Sequence, residues 1–386
     1  MLSATLSDGV ERLAGITLNN PVHIDTSLTD NNQAPESVTT ETKINFTLPT
    51  NLRQQFVITP CKLRLVTLAA FITWHCKIKS TKCKMIVFMS TQDLVEFHYD
   101  LFKHFFGMTN LSIDSEIKDV EDEHNILFFK LHGDMQQKER TKVFQEFTET
   151  NTGVLFCTDV AARGLDLPYV QWIVQYTTPG GATDYIHRVG RTARAGKQGQ
   201  SLLFLMPNEA DYIPILNENN ISLSEVQMND FLKNLKSTVS QMVDHSETKR
   251  AAPRTVEETA TYLQMCFENY IIHNKSVADL AKKAFQSFVR AYSTYPSNLK
   301  NIFHIKKIHL GHLAKSFALR EAPSSITVSH HGDQLKKLKE KRKKKELKIK
   351  EARKSAFSEF SSGLSSGTIH KIKKTKTGKK NKIKKK

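Results

Sequence analysis

The chain has 386 residues, 39% of them apolar, enough to bury a core and to hold two or three domains. Its formal charge of +17 is concentrated in one place. Of the 56 Lys and Arg, 22 fall between Lys336 and Lys386, with only 4 of the 39 acids, so this segment carries +18 and the body is nearly neutral. The five cysteines, Cys61, Cys76, Cys83, Cys157 and Cys266, include no C-x-x-C pair and no histidine at zinc spacing, which argues against a disulfide scaffold or zinc module and for reduced intracellular thiols. No apolar run reaches 18 residues without a charge, and no basic segment follows Met1, so neither a membrane span nor a signal peptide is expected.

In chain order, residues 1–25 hold one short helical stretch and one extended stretch, too little for a core, and read as the remnant of a domain. Residues 26–49 are polar, with Pro35 and several Asn, Thr and Ser, and read as a linker. Over residues 50–220 strand and helix alternate. Gln55–Ile58, Lys84–Met89, Leu127–Leu131, Gly153–Cys157, Trp172–Gln175 and Ser201–Leu205 are short β-type runs, and Cys61–Lys77, Gln92–Phe106, Gln136–Phe147 and Thr183–Val189 are amphipathic. That alternation predicts an α/β fold, a parallel sheet with helices on both faces. Residues 107–125 form a long acidic insertion, read as a surface loop.

Beyond residue 220 the alternation stops. Thr255–Asn269, Val277–Tyr292 and Ile308–Ala318 show helical spacing, with Tyr262, Cys266, Phe267 and Tyr270, then Leu280, Phe285, Phe288, Val289 and Tyr292, as apolar faces. A small helical domain over residues 221–322 is expected, with those aromatics in its core rather than stacked on bases. Residues 323–386 read as a disordered, lysine-rich tail that seeks polyanions or addresses the nucleus.

The densest chemistry lies in His187-Arg188-Val189-Gly190-Arg191-Thr192-Ala193-Arg194. A charge run of this kind is ordinarily a solvated helix face. Here three arginines and a histidine surround one glycine, and arginine's planar fork matches phosphate oxygens at any working pH. If the helix continues, Arg191 and Arg194 share a face and reach one target together. Upstream, Val154–Asp166 begins as an apolar strand and breaks into a hydroxyl, two carboxylates, an arginine and a glycine, as a ligand site at a strand's carboxyl end would.

Together these stretches resemble motifs V and VI of the DEAD-box RNA helicases of superfamily 2. Ser3-Ala4-Thr5 resembles the SAT motif of that family, Met85–Phe88 its motif IV strand, and Leu131-His132-Gly133-Asp134 with Gln137-Lys138-Glu139-Arg140 its motif IVa. Arg290–Pro296, continuing through Phe303-His304 and Leu310–Phe317, resembles the carboxyl-terminal extension of a DEAD-box subgroup that acts in large ribosomal subunit assembly. No G-x-x-x-x-G-K-[ST] phosphate loop and no Asp-Glu-Ala-Asp tetrad appears. Because SAT normally follows that tetrad in the first motor domain, the resemblance implies that Met1 is an internal methionine and the chain the carboxyl-terminal part of a longer protein.

The resemblance further implies a RecA-like second motor domain and ATP as cofactor, with magnesium held by the first motor domain. Arg191 and Arg194 are then the catalytic arginines facing the γ-phosphate, and Gly164 and Asp166 complete the nucleotide site, Asp166 at the ribose hydroxyl. Gly133, Gln137, Arg140, Thr158 and Arg163 contact RNA through its backbone, although a structural ion pair is a competing role for Arg140. Ser3, Thr5, His187 and Arg188 couple the two motor domains, and His187 is structural rather than a base. Asp159 and Asp184 are read as helix caps. The expected function is RNA-stimulated ATP hydrolysis that remodels precursor ribosomal RNA among pre-ribosomal proteins in the nucleolus, by a monomer, with this chain alone inactive. Two rivals are a catalytically dead RNA-binding scaffold and a DNA-directed motor.

Overall fold

In a computed structural model of the chain, residues 49–78, 82–107, 126–159, 168–193, 196–240 and 253–323 are described. The expected remnant, the linker up to residue 48, the acidic insertion from 108 to 125 and the lysine tail lie outside them.

Strands β1 (Leu52–Ile58), β2 (Lys84–Phe88), β3 (Leu127–Leu131), β4 (Gly153–Cys157), β5 (Trp172–Gln175), β6 (Gly199–Leu205) and the two-residue β7 (Ser224–Glu225) form one sheet in the order β3-β4-β2-β5-β6-β1-β7. Every pairing is parallel. These strands are Val-, Ile-, Leu- and Phe-rich on both faces, as burial on both sides demands. On one face Ile86, Phe88, Leu131, Leu155 and Ile173 pack with Phe147 of helix α3 (Gln137–Glu149). On the other, Phe128 and Phe156 meet Phe102 of helix α2 (Gln92–Phe106), and Trp172 meets Phe71 of helix α1 (Arg64–Thr73) edge to face at 4.9 Å.

Chain direction reverses across the sheet between β2 and β5. From β2 the chain leaves toward β3 at one edge through α2, and from β5 it leaves toward β6 through helix α4 (Ala182–Val189) on the opposite face, where Tyr185 donates to Gln54 Oε1. The crevice outside the carboxyl ends of such a pair is the usual place for a ligand in an open α/β sheet.

Helix α1 differs from the amphipathic Cys61–Lys77 stretch expected. A 3₁₀ turn at Cys61–Leu63 precedes it, a π turn at Trp74–Ile78 follows it, and all ten of its residues are buried. Burial is complete because three later helices that the apolar pattern left unmarked or only partly marked, α6 (Met228–Leu232), α7 (Leu235–Ser240) and α8 (Val256–His273), cover its outer side. A short helix α5 (Tyr212–Glu218) separates β6 from β7.

The helices expected to form a domain of their own after residue 220 instead make a third layer on α1 and α2, in one compact unit with the sheet. Helix α9 (Lys275–Tyr292) lies along α2, with the hydroxyls of Thr91 and Ser287 hydrogen-bonded at 2.9 Å. Phe317, just past helix α10 (Leu310–Lys315), packs on Phe97, Phe285 and Phe288, and Phe105 meets Phe267 of α8 edge to face at 4.8 Å. The buried face of α8 is Ala260, Leu263, Phe267 and Ile271, whereas Tyr262, Cys266 and Tyr270 sit half-exposed on its flank. On α9 the expected face is buried except for half-buried Leu280. Helix α8 is started by a reciprocal cap in which Thr255 Oγ1 accepts from Glu258 N and Glu258 Oε2 accepts from Thr255 N.

Candidate functional site

Two clusters of polar side chains stand at the carboxyl ends of the strands. At the β3 corner, His132 Nε2 hydrogen-bonds Glu96 Oε1 at 2.8 Å while Lys130 Nζ reaches Glu96 Oε2 at 2.7 Å. Burial alone would raise the Glu96 carboxyl; hydrogen bonds from Lys130 and His132 hold it below the usual carboxylate range. This pins the end of β3 to α2 and sets where Gly133 emerges. Gly133 and Gln137 are exposed, Gln137 in the first turn of α3, and Arg140 one turn on donates from Nη1 to Gln137 Oε1 at 3.2 Å. Among the described residues Arg140 makes no ion pair, and its Nε has no partner. Within the described residues no ion pair competes for Arg140, and Gln137 and Arg140 stand side by side. Thr158, at the end of β4, is bound to the same corner through its backbone N–H on Leu131 O. Geometry thus brings Gly133, Gln137, Arg140 and Thr158 to adjoining strand ends.

The second cluster lies at β4 and β5. Arg188, on the last turn of α4, is 3% exposed. Its Nε and Nη2 clasp Asp159 Oδ1 and Oδ2 at 2.6 and 2.7 Å, and its Nη1 donates to Thr177 O at 2.7 Å. Burial works against the guanidinium's charge, and Asp159 more than offsets it, so the group stays protonated. Arg188 thus spends its hydrogen bonds inside the domain, with Asp159 as its ion partner. The pair ties the end of β4 to the helix that begins the arginine run.

That helix stops at Val189, with Gly190 as its cap, so Arg191 stands in a turn beyond it. The stop has a local cause: Thr192 Oγ1 donates to Val170 O at 2.5 Å, and Ala193 takes a positive φ of 56°. Gly199 accepts this close approach because a Cβ there would lie 2.5 Å from Ala193 N. Arg191 is half-buried, its Nε on His187 O at 3.3 Å; His187 is half-buried as well. Ser3, Thr5, Arg163, Gly164, Asp166 and Arg194 lie outside the described residues. Glu96, Arg64 and the pairing of Arg188 with Asp159 escaped sequence reasoning, since each depends on contacts between residues 29 to 112 positions apart.

The family described as "Helicase conserved C-terminal domain" matches residues 67–196, which span α1 to the arginine turn, and "ATP-dependent rRNA helicase SPB4-like, C-terminal extension" matches residues 274–325. The chain is thus similar to the DEAD-box helicases. It is 42% identical to human "ATP-dependent DNA helicase DDX31", over 97% of this chain and 45% of that protein. To rice (Oryza sativa subsp. japonica) "DEAD-box ATP-dependent RNA helicase 17" it is 36% identical over 89% of this chain and 60% of that protein. The chain therefore spans about half the length of the curated relatives it matches. The solved structure of Mss116p bound to single-stranded RNA and AMP-PNP resembles it in fold, with a TM-score of 0.51 and 22% identity over 83% of this chain and 52% of that one. That likeness supports the RecA-like assignment of the sheet.

Proposed function

We propose that this chain belongs to an ATP-dependent RNA helicase that remodels precursor ribosomal RNA during large ribosomal subunit biogenesis, in the nucleolus among pre-ribosomal proteins. The observation that carries this reading is the match of residues 274–325 to an extension described for an rRNA helicase, on helices that pack directly against the helicase domain. The printed names of the relatives divide between DNA and RNA. The Gln137–Arg140 pair supports a strand held by its backbone, which either nucleic acid supplies, so discrimination rests on the 2′-hydroxyl.

The described part of the nucleotide side fits a phosphate group: Arg191 is a half-buried cation in the turn after α4, its Nε on His187 O. Arg194, Gly164 and Asp166 complete this side by resemblance. ATP, when bound with magnesium on the first motor domain, supplies the phosphoryl group; Arg191 and Arg194 place positive charge where negative charge develops.

In a full-length protein, Arg191→Ala is expected to lower RNA-stimulated ATPase by about 10²-fold or more with nucleotide-free RNA binding retained. Loss of RNA binding in step with ATPase would move Arg191 to the RNA track. The 386-residue chain alone is expected to release no phosphate above background. Equal affinity for matched single-stranded DNA and RNA would overturn the RNA assignment, and wild-type pre-rRNA profiles on depletion would overturn the ribosomal one.

A further inference from the structure

A cavity of about 190 Å³ opens at the carboxyl ends of β4, β2 and β5, where the chain direction reverses, and the helical extension forms its far wall through Phe288, Tyr292 and Tyr295. Its floor is polar, and the acceptors there are already paired. Both oxygens of Asp159 are taken by Arg188. Glu209 Oε1 accepts from Tyr292 Oη and Oε2 from Met206 N, each at 2.8 Å, and Tyr295 Oη donates to Thr178 O at 2.6 Å. The carboxylates are spent, whereas two donor groups are not.

Arg64, at the start of α1, is 3% exposed and stands over the Tyr176 ring, with Nη2 donating to Tyr176 O; its Nε and Nη1 have no acceptor among the described residues. Thr177 Oγ1 on the cavity wall is buried with no partner. Arg64 faces Glu209, so the charge is met, but its open guanidinium nitrogens beside the unpartnered Thr177 hydroxyl ask for a small ligand that brings several oxygen acceptors. Ser90 and Gly180 also line the cavity, and Asp159, on the wall, directly follows Thr158.

We propose that Arg64 and Thr177, closed in by the extension, form a binding site for a phosphate group. Its source is a phosphate of a bound nucleic-acid strand or free inorganic phosphate; the strand source rests on the function proposed above, the site itself does not. The extension thereby gains a role in binding, since Tyr292 and Tyr295 hold the wall through Glu209 and Thr178.

The test titrates the 386-residue chain with inorganic phosphate against sodium chloride and potassium glutamate of matched ionic strength, following the Arg64 Nε–H resonance and the thermal midpoint. A saturable shift specific to phosphate is expected. Thr177→Val should fold as wild type, because the hydroxyl has no partner to lose, and weaken phosphate about three- to tenfold. Arg64→Met should remove the response, while non-specific exclusion of phosphate from the surface raises the midpoint of every variant alike. A shift shared with chloride, or equal affinity in Thr177→Val, overturns the site, and an equal response to glutamate reassigns it to a carboxylate partner. Affinity for a ten-nucleotide single-stranded RNA that falls in Thr177→Val assigns the phosphate to the strand; unchanged RNA affinity assigns it to free phosphate. Absence of RNA binding by the wild type would instead sink the proposed function and leave the phosphate titration to judge the site.

Discussion

The two clusters at the strand ends use similar residues in opposite ways. At the β4–β5 end, each nitrogen of Arg188 bonds Asp159 or Thr177, and the arginine becomes part of the framework. At the β3 corner, half-buried Arg140 has only a neutral neighbour, the exposed Gln137, and no carboxylate among the described residues. An arginine in a motif can therefore serve as a strut or as a contact. The acceptors within reach decide which: Arg188 meets a carboxylate and a carbonyl, whereas Arg140 meets only a side-chain amide.

The comparison breaks most directly at Asp159. Asp159→Ala leaves Arg188 charged and unpaired in the interior and should cost about 3–5 kcal/mol in urea unfolding, and adding Arg188→Met should recover much of it. If Asp159→Ala costs less than about 1 kcal/mol, Arg188 is no strut. A smaller effect is set by His98 on α2, fully buried with its Nδ1 on Leu94 O and its Nε2 unpartnered. Burial pushes its pKa down to about 4, so the unfolded chain takes up the proton first as pH falls. Stability should be fully present above pH 6.5 and decline as pH drops toward 4, by at most about 3 kcal/mol. His98→Phe should flatten that segment relative to wild type; parallel pH profiles would show the ring to be solvated.

At the β3 corner the expected cost in stability is small. Arg140→Ala should change unfolding by under about 1 kcal/mol yet lower the slope of log K against log salt for single-stranded RNA by about 0.7. A stability loss as large as that of Asp159→Ala would erase the contrast between the clusters. Smallest of all for the folded body is removal of residues 336–386. The thermal midpoint should hold, while the salt slope flattens by about 0.7 for each phosphate that the tail no longer neutralises. An unchanged slope would leave RNA affinity to the corner and the tail to localisation.

Much of this was legible in the residue order. The strand runs at 84–88, 127–131, 153–157 and 172–175 are continuous apolar stretches bounded by polar breaks, a local signal that survives whatever packs on them, and the parallel sheet follows from their alternation with helices. The neighbouring of Gln137 and Arg140 was legible too, since one helical turn brings the two together by local geometry alone. Tertiary structure alone decided the rest. Helix α1 reads as amphipathic until the extension covers its second face, and the third layer exists because Phe317, Phe285 and Phe267 find α2, more than 150 residues away. It also separated the arginine run into the strut Arg188 and the turn residue Arg191. Charge and spacing state what a side chain is able to bind; which partner takes it depends on distant chain segments arriving at hydrogen-bond distance, and the order of residues along the chain does not contain that distance.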